Sequence, residues 1–106
     1  MSFSEQDWKR LRQLKPVALD RYCNRVLEES ATILAASGRT AHERYVALYR
    51  LLQNRDNELA SAFDDVRRST ALARLLAMRK LEVVTDEELQ GFSPGTRETV
   101  VALRDL

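Results

Sequence analysis

The chain has 106 residues, the size of one domain, with 44% apolar and 31% charged residues, an ordinary globular balance that excludes a disordered or collagen-like polymer. Seventeen basic side chains against sixteen acidic ones leave a net charge of +1, so no global field draws the chain to nucleic acid or acidic lipid. Three glycines and two prolines are the only strong breakers, and none falls between Arg39 and Gln90, which points to helix throughout.

Ser4, followed by Glu5 and Asp7, opens a first helix that the residue-before-proline restriction should end near Leu14. A second helix is predicted from Pro16 to Ser37, burying Leu19, Tyr22, Cys23, Val26, Leu27, Ile33 and Leu34, with Gly38 as a left-handed cap. Thr40 and Glu43 fit a reciprocal capping box, so a third helix starts after a turn of two or three residues. A turn that short makes residues 16–37 and 40–66 an antiparallel hairpin.

In the third helix Ala41, Tyr45, Leu48, Leu52, Arg55, Leu59, Ala62 and Val66 recur at four and three, as in a coiled-coil seam. Arg55 interrupts it, with its stem expected to pack and its head to reach water or an acid such as Asp20. Tyr22, Tyr45 and Tyr49 are expected to form one aromatic patch. A break is predicted between Asp64 and Thr70, with Ser69 as the next cap; without it the helix would outrun the cover this chain can supply. A fourth helix carries Leu72, Leu75, Leu76 and Leu81 to about Val83. Thr85 and Glu88 form a second capping box for a one-turn helix closed by Gly91, and Ser93-Pro94 opens a last helix. The expected fold is all-α: an antiparallel hairpin extended into a small bundle of five to six helices in a single domain.

Leu72 to Leu81, a short turn, then Thr85-Asp86-Glu87-Glu88-Leu89 resembles the bacterial short C-terminal domain family. That resemblance implies a role in oligomerisation; it covers a minor part of the chain and stops at Gly91 to Pro94, where the family continues its helix.

Catalytic chemistry finds few candidates. His42 is the only histidine, and Val46 stands where a zinc protease helix needs its second one. Cys23 lies on an apolar face, where a thiol is poorly activated. Glu28-Glu29, Asp64-Asp65 and Glu87-Glu88 are sequence neighbours, which point about 100° apart on a helix and do not share a substrate. The expectation is a protein that is not an enzyme, with no cofactor, metal or small-molecule substrate. One cysteine and no disulfide framework fit the cytoplasm, and the opening residues lack the pattern of a secretion signal. No apolar run approaches a membrane span.

The function predicted is protein–protein interaction or assembly, as a homodimer or with another protein, through Tyr45, Leu48, Tyr49, Leu52, Arg55 and Leu59. Leu52→Asp is accordingly expected to unfold the chain or split its assembly. The alternative is a nucleic-acid-associated regulator: Arg67, Arg68, Arg74, Arg79 and Lys80 form a basic segment without an acid. The acids of residues 82–106 could fold back to neutralise it.

Overall fold

The structure, a computed structural model, describes residues 3–104 and contains five helices. They are α1 (Glu5–Leu34), α2 (Ala41–Phe63), α3 (Ala71–Lys80), α4 (Asp86–Gln90) and α5 (Pro94–Arg104), with no strand among the described residues. The all-α hairpin bundle is therefore as the periodicity implies.

Two predicted helices prove to be one. α1 runs unbroken through Pro16, although proline leaves the Arg12 carbonyl without its helical donor and costs about 3 kcal/mol in a helix interior. Both residues are exposed, so water can serve that carbonyl. Meanwhile Asp7, Leu11, Leu14, Ala18 and Tyr22 form a buried stripe that spans the proline at spacings of four and three. Burying that stripe outweighs the local defect.

α1 ends at Leu34 rather than Ser37, and Gly38 does not adopt a left-handed conformation. The link to α2 is the longer segment Ala35 to Thr40, tightened by the Ala36 and Arg39 amides, which donate to the Ile33 and Ala36 carbonyls. The hairpin closes regardless, because packing rather than the turn aligns the rods. Tyr22 meets Phe63 (ring centroids 6.3 Å apart), Glu29 meets Arg55 and Leu34 meets Arg44, an antiparallel register. The capping box at Thr40 forms as expected, its hydroxyl accepting from Glu43 N at 3.1 Å while Glu43 Oε1 accepts from Thr40 N at 2.8 Å.

The predicted break is present. Asp65 turns the chain with φ 53°, a conformation Asp tolerates, and Thr70 rather than Ser69 precedes α3. The Thr70 hydroxyl knits the turn, donating to the Asp65 carbonyl at 2.6 Å and accepting from Arg67 N at 2.9 Å.

α3 stops at Lys80, short of Val83, in a Schellman motif: Val83 N donates to Met78 O and Glu82 N to Arg79 O. Val83 and Val84 are thus not helix but buried plugs in the connection to α4. The motif places Glu82 at φ 62°, where glycine is the usual occupant. Glu82→Gly is expected to stabilise the fold by roughly 1 kcal/mol and raise Tm by about 5 °C in a thermal melt. Glu82→Ala, which removes the charge but keeps the Cβ, should give no such gain.

The second capping box, Thr85 with Glu88, also forms, and Gly91 closes α4. A Cβ at Gly91 would come within 2.5 Å of Arg10 Nη1, so glycine there leaves room for the Arg10 guanidinium.

Burial divides the molecule in two. Phe3, Leu11, Leu14, Ala18 and Tyr22 of the N-terminal segment pack with Ala62, Phe63, Ala71, Leu75, Met78, Val83, Val84, Leu89, Phe92 and Val100 in one core. From Cys23 to Ser61, by contrast, no residue is buried. The outer halves of α1 and α2 form an arm projecting from this head, giving extents of 52 × 26 × 24 Å.

One ionised side chain lies inside the head. Asp7, 2% exposed, accepts from Ser93 N (2.8 Å), Ser93 Oγ (2.6 Å) and Thr96 Oγ1 (2.7 Å), at the start of α5. Burial pushes its carboxyl up, but these hydrogen bonds outweigh burial and hold it below the usual carboxylate value. Asp7 therefore caps a helix distant in sequence, and the positive end of α5 favours its charge.

Candidate interaction face

Two helices lying side by side cannot cover each other completely, and the arm has no third element. Leu27 (65% exposed) and Leu34 stand open on α1, and Tyr45 (70%), Tyr49 (57%) and Leu52 (41%) on α2. Tyr45, Tyr49, Leu52, Asp56 and Leu59 follow one another at four and three, a single stripe. On α1 Cys23, Leu27, Ser30 and Leu34 do the same. The stripes share a side of the hairpin, because Cys23, Val26 and Leu27 line a groove of about 190 Å³ together with Asp56 and Leu59. That side is a broad apolar face with one carboxylate at its inner end.

Of the residues expected at the partner-binding seam, Tyr45, Tyr49, Leu52 and Leu59 lie on this face. Leu48 and Arg55 are half-buried; Arg55 borders the groove but sends its guanidinium to Glu29 of α1. The predicted seam mixed two neighbouring strips of α2: one on α1, with Arg44, Leu48, Leu51, Arg55 and Ala62, and one in solvent. Tyr22 is buried in the head, so the predicted three-tyrosine patch is absent and only Tyr45 and Tyr49 share a surface. Leu27 and Leu34, expected in the core, belong to the open face.

Arg55 locks the arm where it leaves the head. Its Nε and Nη2 donate to the two oxygens of Glu29 (3.2 and 2.9 Å) and its Nη1 to Glu58 Oε1 (3.1 Å), so its partners are these acids and not Asp20. The Tyr22 hydroxyl donates to Glu58 Oε1 at 2.8 Å, with the Arg55 carbonyl also in reach at 2.9 Å. Hydrogen bonding to Glu29 raises the Arg55 guanidinium and lowers Glu29, while burial, helped by Glu58, pushes the Tyr22 phenol up. The network pairs these charges with one another across α1 and α2.

The basic segment has a different use. Arginines close the C-terminal ends of four helices: Arg44 donates to Leu34 O of α1, Arg74 to Ser61 O of α2, Arg25 to Leu81 O and Glu82 O beyond α3, and Arg97 to Gln90 O of α4 and Phe92 O beyond it. Each cation meets the negative end of a helix and free carbonyls together. Of the five residues considered for phosphate binding, Arg74 is spent this way, Arg67 pairs with Asp65, Arg68 with Glu5 and Arg79 with Asp86. Arg74 and Lys80 have no ion-pair partner among the described residues. Among the described residues, only Asp86 of the C-terminal acids takes part in neutralising the segment.

Glu88 instead holds α1, accepting from Arg21 Nη1 at 2.6 Å and Nη2 at 2.9 Å. Chiefly through Arg21, its carboxyl falls from 4.5 to about 2. A folded-state value below the unfolded one stabilises the fold fully above about pH 4.5, and that stabilisation is lost as pH falls toward 2. Glu88→Gln should therefore cost about 1 kcal/mol at pH 7, less than the shift alone implies because Arg21 is 39% exposed and screened. Denaturant titrations should show this deficit vanishing near pH 2; a deficit independent of pH would rule out the ionic origin.

His42 is exposed in the first turn of α2, about 25 Å along that helix from Leu59, which shares its groove with Cys23. The one imidazole and the one thiol are thus at opposite ends of the arm. Among the described residues no group of three or more His, Cys, Asp or Glu side chains could hold a metal ion, and no helix is long and apolar enough to cross a membrane. No protein-family model matches the chain, and neither a curated protein nor a solved structure shows significant similarity to it.

Proposed function

We propose that the protein is a non-enzymatic assembly module that associates with itself through the arm, in the cytoplasm. The observation that carries this reading is the long arm without one buried residue, bearing Leu27, Leu34, Tyr45, Tyr49 and Leu52 on a common side. A contiguous apolar face of this kind favours association, and tyrosines with leucines suit an interface centre. The engagement of Arg67, Arg68, Arg74 and Arg79 within the chain speaks against the nucleic-acid alternative.

Leu52→Asp is the decisive variant. Leu52 is too exposed for a charge there to unfold the monomer, so of the two outcomes expected from sequence only loss of assembly remains. Light scattering should find a dimer for the parent chain and a monomer for Leu52→Asp, with the helical circular dichroism of both alike. A parent chain that is monomeric at millimolar concentration would refute self-association.

A further inference from the structure

Charge is unevenly distributed along the arm. Its outer part, residues 31–49, holds Arg39 and Arg44 against Glu43, a net +1 with His42 neutral, while Arg50 stands at mid-arm. Its inner part, residues 20–30 and 51–60, holds Asp20, Glu28, Glu29, Asp56 and Glu58 against Arg21, Arg25 and Arg55, a net −2. Arg39 at the tip and Asp56 on the apolar face have no ion-pair partner among the described residues.

We infer that two copies dock their arms head to tail about a twofold axis passing near Tyr49 and Leu52, closing an antiparallel four-helix bundle. This rests on the self-association proposed above and specifies its geometry. Two layers of two helices complete a bundle core that neither layer forms alone. A twofold axis presents the same patch from both copies, so Leu27, Leu34, Tyr45, Tyr49 and Leu52 meet their own kind. Charge selects the direction: in the antiparallel pair each +1 tip rests on a −2 base, whereas parallel arms would set tip on tip and base on base. Asp56, the lone carboxylate on the face, then comes near the partner's basic tip.

Reversing one end separates the two geometries. Arg39→Glu turns the tip negative; in an antiparallel dimer it should weaken self-association severalfold at low salt, an effect that shrinks near 1 M salt. Asp20→Arg/Asp56→Arg should do likewise, and mixing the two variants should restore affinity, which shows both to be folded. Nitroxide labels on Arg39→Cys in a Cys23→Ser background should lie roughly 25 Å or more apart, the length of the arm. A dimer indifferent to tip reversal, with labels within about 15 Å of each other, overturns the antiparallel arrangement but leaves self-association standing. A parent chain that stays monomeric removes both and leaves the face to a different protein.

Discussion

Asp7→Ala should lower the melting temperature by about 10–20 °C. The carboxylate receives three hydrogen bonds from Ser93 and Thr96, and Thr96, like Asp7, is only 2% exposed, so water cannot readily replace what is removed. Stranding buried donors of this kind costs about 1–3 kcal/mol each, and the favourable meeting of an anion with the positive end of α5 is lost as well. A total near 3 kcal/mol is reasonable, and for a domain of this length each kcal/mol moves Tm by about 4–8 °C. Asp7→Asn keeps an acceptor for the Ser93 amide and should lose about half as much. A thermal melt of Asp7→Ala within 3 °C of the parent would show that the carboxylate does not hold α5 in place.

The second large effect is expected at Leu75, in the middle of α3. It has no exposed surface, and α3 packs on α1, α2 and α5. Leu75→Ala leaves a cavity at the junction of these helices and should cost about 3 kcal/mol. Leu27→Ala makes the same chemical change on the arm, at a residue 65% exposed, and should cost less than about 0.5 kcal/mol in dilute solution. Urea titrations of the two variants at low concentration test the division into head and arm. Equal losses would mean that the arm is covered even in the monomer.

The parts legible in the sequence were those with a local cause. Both capping boxes, the break after Phe63 and the opening of α5 at Ser93-Pro94 depend on residues within one turn of each other, and each is where the pattern puts it. Features set by distant packing were not legible. Pro16 reads as a boundary until the buried stripe crossing it is known. Gly38 reads as a cap, although the close of α1 is supplied by Arg44 from across the turn. Glu82 in a left-handed turn has no local signal, because glycine would be the expected residue.

The interaction face was partly legible for the same reason. Periodicity marks apolar positions but does not say how many sides of a helix have neighbours. One clue was available: Val26 beside Leu27 and Ile33 beside Leu34 point about 100° apart, so a single facing helix cannot bury both members of each pair. The wide apolar arc of α1 therefore signals a surface beyond the one α2 covers. Asp7, by contrast, reads from sequence as a routine first-turn acid, since Ser93 and Thr96 lie more than eighty positions away.

That α1 passes whole from the globular end into the projection has a mechanical result. A rod about 45 Å long, with half of it embedded and no joint along its length, leaves little room for pivoting. Whatever grips the outer half also fixes the bearing and the reach of the rounded end, in the way a handle fixes the blade it carries.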